Sequence, residues 1–309
     1  MSFKFIDLFA GIGGIRLGFE SQGGTCVFSS EWDLKAQKTY EANFGDKPSG
    51  DLTKIRVQDI PEHDILLGGF PCQAFSIIGK MKGFEDTRGT LFFNVAEILK
   101  EKKPKAFMLE NVKQLTTHDK GKTFKIILKT LEDIGYKVYY KVLNALDFGV
   151  PQKRERIFIV GFIDHSINFD FPIGNKKFDL SSILEKDSEV AAKFFVSEEI
   201  KKNRLANLKK EAPNPSIWHQ NISGNVSALP YSCALRSGAS YNYLLVNGVR
   251  RLTSRELFRL QGFPDSYKIV VPYTQVRKQV GNSVAVPVIK AVAKNIVDAL
   301  TKKKEDPNH

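Results

Sequence analysis

The sequence predicts an α/β protein built on an open, mostly parallel sheet that helices cover on both faces. Short apolar runs such as FKFIDLF (3–9) and KAFMLENV (105–112) are typical of strands buried on both sides. Stretches with apolar residues at helical spacing separate these runs, and the alternation continues to residue 162. Glycines mark the ends of two runs, AGIGG (10–14) and LLGGF (66–70), as expected where a sheet binds ligands at the carboxyl ends of its strands.

The elements follow in order along the first half of the chain. The first helix should begin near Gly14 and end before Gly23. Apolar residues at helical spacing indicate two more helices, one with Leu91, Phe92, Val95, Ile98 and Leu99, and one with Phe124, Ile127, Leu128 and Leu131. The predicted strands are the apolar runs at 3–9, 25–31, 64–70, 105–112, 136–143 and 156–162.

The second half of the chain is less periodic. Between Asn168 and Ser232 no long repeat of apolar residues is present, and we expect a second, irregular domain there. Order returns at LTSRELFRLQGFP, where Thr253 and Glu256 form a predicted capping box, and a last amphipathic helix should run from about Val284. The predicted division is a first domain at 1–185, a second at 186–274, and a segment at 275–309 that returns to the first.

Composition narrows the possible classes. The 309 residues include 46 lysines and arginines against 34 acidic residues, and the formal charge of +12 is typical of a protein that binds a polyanion such as nucleic acid. No apolar run approaches the ~20 residues that cross a bilayer, and Asp7 interrupts the N-terminal stretch that would have to be a signal core. Three cysteines without CxxC spacing and five scattered histidines predict no metal site and a reducing, cytoplasmic location.

The turn after the first strand predicts a cofactor site. Gly11, Gly13 and Gly14 let the main chain approach a ligand beneath the start of a helix. Glu31 lies twenty residues past Gly11, at the end of the second strand, where an acid can accept from ribose hydroxyls. The full GxGxxG pattern is absent, which argues against a pyrophosphate and leaves room for a nucleoside cofactor with a different tail. Taken alone, the turn fits any α/β protein equally well.

Further motifs carry a family resemblance. The blocks GGFPCQAFS, MLENV, PQKRER and QVGNSV, preceded by DLFAGIGG and SSEWD, stand in the order typical of the cytosine carbon-5 DNA methyltransferases. The chain resembles the short bacterial restriction-modification type, and it is similar to a small GCGC-methylating enzyme of that group from Phe5 to about Ile163 and from Gly248 to about Val286. The resemblance implies a Rossmann-like methyltransferase domain, a target-recognition domain, S-adenosyl-L-methionine as cofactor and double-stranded DNA as partner.

The resemblance also implies a catalytic set. Cys72 matches the nucleophile that adds to carbon 6 of cytosine, and a thiol with an ordinary pKa of ~8.5 must be activated by its surroundings to do so. Glu110 matches the acid that contacts ring nitrogen 3 and the exocyclic amine. Arg154 and Arg156 match the paired arginines beside the base, one on the base oxygen and the other bracing the site; without the family, KRER would be a solvated charge run.

The implied cofactor pocket draws on several motifs. Glu31 is expected on the ribose, Asp51 on the adenine amine and Trp32 near the adenine ring, although Trp32 taken alone could equally be a core residue. The complete set of expected cofactor residues is Phe9, Gly11, Ile12, Gly14, Glu31, Trp32, Asp51, Leu52, Phe70, Asn282 and Ser283.

Two stretches are expected to contact DNA. The first, from Gln73 to Gly89, has the composition of a lid or of a plain surface loop. The second is residues 231–248, YSCALRSGASYNYLLVNG, here called the recognition segment, in which Ala234 and Leu235 replace the family's usual threonine-leucine pair. The expected DNA contacts are Gln73, Ser76, Lys80, Lys82, Arg88, Arg236, Ser237 and Tyr241, with Ser240 and Asn242 as further candidates.

Other functions remain open at this point. A tRNA-modifying branch of methyltransferases shares these blocks, a catalytically silent nucleic-acid-binding module would keep the fold, and a nicotinamide oxidoreductase is a more distant alternative. The predicted function is methylation of cytosine carbon 5 in a short DNA site of four to six base pairs. We expect a monomer that acts beside a restriction endonuclease specific for the same site.

Overall fold

The computed structural model describes residues 2–71 and 91–302. The helices are α1 (Gly14–Glu20), α2 (Leu34–Phe44), α3 (Leu91–Lys102), α4 (Lys122–Asp133), α5 (Glu198–Ala206), α6 (Ser254–Arg259), α7 (Tyr273–Asn282) and α8 (Val286–Lys302). The strands are β1 (Phe3–Leu8), β2 (Gly24–Ser30), β3 (Ile65–Gly68), β4 (Ala106–Val112), β5 (Lys137–Asn144), β6 (Gln152–Lys153), β7 (Glu155–Phe162), β8 (Ile217–Gln220), β9 (Val226–Leu229), β10 (Ser232–Cys233) and β11 (Leu244–Val246).

The main sheet has six strands in the order β2-β1-β3-β4-β7-β5. Strand β1 pairs in parallel with β2 and β3, and β3 pairs in parallel with β4, whereas β7 runs antiparallel to β4. The central strands β3 and β4 are buried along almost their whole length, and the edge strands β2 and β5 are partly exposed. Runs made mostly of apolar residues therefore mark the middle of the sheet, as expected for strands that are covered on both sides.

The strand order places a switch point between β1 and β3. The chain leaves β1 toward β2 on one side and later returns to β3 on the other side, so the turns after β1 and β3 leave the same edge of the sheet. Ligands of open α/β sheets bind in the crevice at such a point. Glycines of the two sequence motifs lie in these two turns, at residues 9–13 and 69–71.

Packing against the sheet fixes these turns in place. Side chains of the central strands, among them Leu8, Leu66 and Leu109, form one core with apolar residues of α3 and α4. Each large aliphatic side chain buried in this way contributes about 1.5–3 kcal/mol to folding. The strand ends that carry the motifs are thus the ends of well-packed elements.

By contacts the chain divides into two compact units. The first contains Met1–Leu143, Glu155–Ile173 and Val288–His309, and it holds the main sheet. The second contains Asn144–Arg154 and Gly174–Pro287. In it, a three-stranded antiparallel sheet in the order β11-β8-β9 packs on a small core, and β6 pairs in parallel with β10. The domain boundaries expected from the sequence, at 185/186 and 274/275, differ from the limits of these units and stay a prediction.

Most elements of the sequence analysis are present. The predicted strands and helices of the first half correspond to β1–β5, β7, α1, α3 and α4, and Thr253 and Glu256 form the predicted capping box at α6. Three helices were not anticipated, α2, α5 and α7. Among the helices of residues 2–71 and 91–302, none combines the length and the apolar character that a membrane crossing requires.

Candidate functional site

The turn after β1 has a tightly specified backbone. Phe9 and Gly11 both have φ of 56°, the left-handed region that glycine adopts freely and that strains Phe9 by about 1–2 kcal/mol. The amide of Ala10 donates to the carbonyl of Ser30 at 2.9 Å, which joins the turn to the end of β2. Ile12 is buried beneath the turn. The turn is therefore held in one shape, with Gly11 only partly buried.

Glu31 fastens the same turn from the end of β2. Its Oε2 accepts from the amide of Gly11 and its Oε1 from the amide of Asp33, both at 2.8 Å. Glu31 is 8% exposed, and burial raises the pKa of its carboxyl, with the two amides opposing that shift. Each carboxylate oxygen can accept a second hydrogen bond. Glu31 is thus oriented by the main chain with acceptor capacity remaining.

Trp32 follows Glu31 and is 79% exposed, although it lies beside a buried acid at the carboxyl edge of the sheet. A core role for Trp32 is therefore wrong. A large exposed aromatic ring beside a fixed carboxylate fits a ligand that stacks on the ring and donates hydroxyl hydrogen bonds to the acid.

In the same unit, Asp51 caps a short 3-10 helix (Leu52–Lys54): its Oδ1 accepts from the amide and hydroxyl of Thr53. These bonds lower the pKa of Asp51, and Leu52 is buried.

The end of β3 is tied to β4 by an amide side chain. Nδ2 of Asn111 donates to the carbonyl of Phe70 at 2.8 Å, and Oδ1 of Asn111 accepts from the amide of Val112 at 2.8 Å. Asn111 and Phe70 are each 3% exposed. The bond between them fixes the main chain one residue before Pro71, where the described residues stop.

Strand pairing brings Glu110 and Arg156 together. In the antiparallel β4–β7 pair, Glu110 lies opposite Phe158, so the side chain of Arg156, two residues away on β7, is on the same face. Nε of Arg156 is 3.1 Å from Oε1 of Glu110, and both side chains are largely buried. The other carboxylate oxygen of Glu110 lies beside Gly69, 3.6 Å from where a Cβ would stand. A paired acid therefore faces the turn after β3.

Arg154 lies in the second unit and has different partners. Its guanidinium donates to the main-chain carbonyls of Leu235 (3.2 Å), Gly281 (3.3 Å) and Ser283, and it is 3% exposed. Gly281 also packs against the recognition segment, because a Cβ on it would stand 2.4 Å from the amide nitrogen of Ser237. Of the expected cofactor residues, Asn282 and Ser283 follow Gly281 in this unit, exposed and buried respectively.

The recognition segment presents its central residues to solvent. Arg236 and Ser237 are exposed, and Tyr241 is 44% exposed. The guanidinium of Arg236 lies 5.2 Å from the ring centre of Tyr243, and its amide donates to the Tyr243 hydroxyl at 3.3 Å. All three expected DNA contacts of this segment are accessible.

Several sequence-based assignments lie outside the described residues: Cys72, Gln73, Ser76, Lys80, Lys82 and Arg88. Within residues 2–71 and 91–302, no cluster of three potential metal ligands is present. Two site residues were missed, although each stands inside a quoted motif. Asn111 belongs to MLENV, and Gln152 of PQKRER donates to the carbonyl of Leu260 and accepts from the amide of Leu235. The available signal was an amide side chain in a buried motif, which must find main-chain partners.

Comparisons with known proteins identify the family of this chain. The type II methyltransferase M.NgoBI of Neisseria gonorrhoeae is 67% identical over 293 residues, 94% of this chain and 92% of its own. The type II methyltransferase M.HaeII of Haemophilus aegyptius is 64% identical over 299 residues, 96% of this chain and 94% of its own. The solved structure of the Entamoeba histolytica methyltransferase EhMeth has the same fold, with a TM-score of 0.75, 18% identity and coverage of 97% of this chain and 99% of its own. Residues 3–298 match the family described as C-5 cytosine-specific DNA methylase, and the chain belongs to that family.

Proposed function

We propose that this protein methylates carbon 5 of a cytosine in a short site of double-stranded DNA, as the modification enzyme of a restriction system. The observation that carries the proposal is the Glu110–Arg156 pair, 3.1 Å apart and facing the turn that leads to Cys72. Family membership and the type II methyltransferase relatives support the same activity.

The first unit offers a fitting site for the adenosyl part of S-adenosylmethionine. We assign the ribose hydroxyls to Glu31, whose carboxylate is already oriented by Gly11, and the adenine ring to the exposed face of Trp32. Asp51, whose Oδ2 takes no part in the bonds to Thr53, is assigned to the adenine amine. When bound, this cofactor supplies an electrophilic methyl group. Phe9, Ile12, Gly14, Leu52 and Phe70 shape the surroundings, and Asn282 and Ser283 are assigned to the pocket on the resemblance alone.

The chain's own residues activate the cytosine. In the proposed reaction the Cys72 thiolate adds to carbon 6, which makes carbon 5 nucleophilic toward the methyl group. Glu110 holds a proton against ring nitrogen 3 and so draws electrons away from carbon 6. Arg156 orients Glu110, and loss of the carbon 5 proton with departure of the thiolate then restores the ring. Because a base in a duplex is stacked, the target must swing out to reach these groups.

Intact-mass measurement with S-adenosylmethionine and a duplex containing 5-fluorocytosine tests the nucleophile. After methyl transfer carbon 5 carries fluorine in place of the proton that must leave, so the thiolate cannot be eliminated and the adduct persists. The wild type and Cys26→Ala should form the adduct and Cys72→Ala should not. Cys26 is the matched control because burial, the largest cause, raises the pKa of its thiol to about 12. An adduct on Cys72→Ala, or none on the wild type, would contradict the assignment.

Binding of duplex DNA should depend steeply on salt. The formal charge of +12 supports about 6–10 phosphate contacts, which predicts that affinity falls by a factor of about 10³–10⁵ between 50 and 200 mM salt.

Bisulfite sequencing of genomic DNA treated with the enzyme and cofactor would identify the methylated site. Faster methylation of tRNA than of duplex DNA would favour the RNA alternative instead. We also propose that the protein is a monomer in the cytoplasm and that a restriction endonuclease acts on the same site.

A further inference from the structure

Part of the recognition segment is shaped by arginine side chains. The stretch Leu235–Asn242 lies between β10 and β11 and contains no strand or helix, so its carbonyls have no sheet partners. Nη2 of Arg277, on α7, donates to the carbonyls of Ala239 and Ser240, both at 2.7 Å. Nη2 of Arg204, on α5, donates to the carbonyl of Asn242. Two arginines from different helices therefore hold three main-chain carbonyls within the four residues Ala239–Asn242.

The charges of these arginines are not neutralised nearby. Within residues 2–71 and 91–302, neither Arg204 nor Arg277 has a carboxylate at ion-pair distance. Arg204 is only 4% exposed, and desolvation lowers its pKa. Burial of a guanidinium without an acid is costly, so a buried arginine is expected where the fold needs its hydrogen-bonding geometry or its positive charge. Either property suits a segment that meets a polyanion.

Arg277 also supports the exposed aromatic ring of the stretch. Its guanidinium carbon lies 4.3 Å from the ring centre of Tyr241, and that of Arg251 lies 5.9 Å from the same ring. A planar guanidinium can stack on such a ring, whereas a lysine ammonium acts on it only as a point charge. One side chain thus fixes two carbonyls and the neighbouring ring together.

We propose that Arg277 and Arg204 are positioning residues that set the main-chain shape of Ala239–Asn242 and, through it, the enzyme's choice of base pairs. This inference rests on the proposed function, since the stretch must meet DNA. Arg277 and Arg204 act through the carbonyls and Tyr241. Their substitution should therefore alter discrimination between sites more than binding to phosphate.

Lysine substitutions separate shape from charge. Arg277→Lys and Arg204→Lys keep the positive charge but lose the planar fork. For each variant, kcat/KM is measured on duplexes with the site found by bisulfite sequencing and on duplexes with one base pair of that site changed. The salt slope of DNA binding is measured in parallel. Lys210→Ala is the control, because Lys210 is an exposed charge of the same unit that holds none of these carbonyls.

We expect Arg277→Lys to lower kcat/KM on the true site by about 10- to 100-fold, because two charge-assisted hydrogen bonds are lost. On the changed sites kcat/KM should fall by a much smaller factor. Its salt slope should stay at the wild-type value. Arg204→Lys should change the ratio in the same direction, and Lys210→Ala should leave the ratio unchanged. Wild-type discrimination in both lysine variants overturns the inference, and so does a uniform loss on all sites. A wild type that methylates no DNA instead refutes the proposed function.

Thermal melting followed by circular dichroism accompanies each variant. If Arg277→Lys melts early, Tyr241→Leu tests the same stretch without touching the carbonyl bonds, and it should reduce discrimination by a smaller factor. Unchanged discrimination in Tyr241→Leu and Arg204→Lys would then overturn the inference.

Discussion

Replacing Asn111 by aspartate tests whether the tie between β4 and the turn after β3 positions the catalytic segment. Asn111→Asp keeps the size of the side chain but places a carboxylate oxygen where Nδ2 now donates to the carbonyl of Phe70 at 2.8 Å. The bond to the amide of Val112 can remain, since it uses Oδ1. The substitution therefore removes one buried hydrogen bond and turns its donor into an acceptor.

The magnitude follows from that exchange. Loss of the bond removes about 1 kcal/mol, and the Phe70 carbonyl left buried without a donor costs a further 1–3 kcal/mol. A total of about 3 kcal/mol corresponds to roughly 100-fold in rate if all of it displaces the segment that carries Cys72. We therefore expect kcat to fall by between about 10- and 100-fold. Cofactor affinity should fall by a smaller factor than kcat, because Glu31 and Trp32 are untouched and only Phe70 of the proposed pocket loses a contact.

The effect should depend on pH. Burial raises the pKa of a carboxyl at this position, and the protonated acid can donate to the Phe70 carbonyl as the amide does. The ratio of variant to wild-type kcat should therefore rise as the pH falls from 8 to 6. Asn295→Asp is the matched control, because Asn295 donates to the carbonyl of Asp170 at 2.9 Å on the protein surface. Wild-type kcat in Asn111→Asp, or an equal loss in Asn295→Asp, would refute the reasoning.

Three further predictions concern the cofactor and stability. Trp32→Ala should weaken S-adenosylmethionine binding by about tenfold or more in calorimetry, since one exposed ring supplies the stacking surface, with little change in melting temperature. Glu256→Gln should lower the free energy of unfolding of the second unit by about 3–5 kcal/mol, because Glu256 pairs with the buried Arg250. Thr253→Ala, which removes only the helix cap, should lower it by about 1 kcal/mol. Both values are measured by urea unfolding, followed by the fluorescence of the buried Trp218. Burial holds the pKa of Asp7 well above its usual value, so the folded protein binds the proton of Asp7 more tightly than the unfolded chain does. The free energy of unfolding of the wild type should therefore fall as the pH rises from 5 to 8. Asp7→Asn should lose this pH dependence, which urea unfolding at several pH values measures.

The main sheet was predictable because its strands are strongly patterned. The central strands begin with apolar runs, such as AFML in β4, and the glycines that follow β1 and β3 mark their ends. Helix α2 was missed for a physical reason. Its buried face contains Gln37 and Thr39 beside Ala36 and Tyr40, so hydrophobic spacing does not reveal it, although Asp33 caps its first turn through the amides of Lys35 and Ala36.

The second unit was harder to predict because its elements are short. Strands β8, β9 and β11 have three or four residues each, which is too few for a periodic pattern to stand out. The roles of buried polar groups were also hidden. Glu256 was expected only to complete a capping box, but its carboxylate also pairs with Arg250, six residues earlier in the chain. Local sequence indicates a cap, whereas a tertiary ion pair depends on the fold.

The pair of arginines in PQKRER shows where motif and structure differ most. If Arg154 and Arg156 both lay in β7, alternation would put them on one face, and a shared role beside the base would follow. Strand β7 begins at Glu155, however, so only Arg156 obeys the register that brings it to Glu110. Arg154 belongs to the second unit and binds the carbonyls of Leu235, Gly281 and Ser283. The motif therefore crosses the boundary between the units: Arg156 pairs with Glu110, and Arg154 binds main-chain carbonyls at Leu235, Gly281 and Ser283.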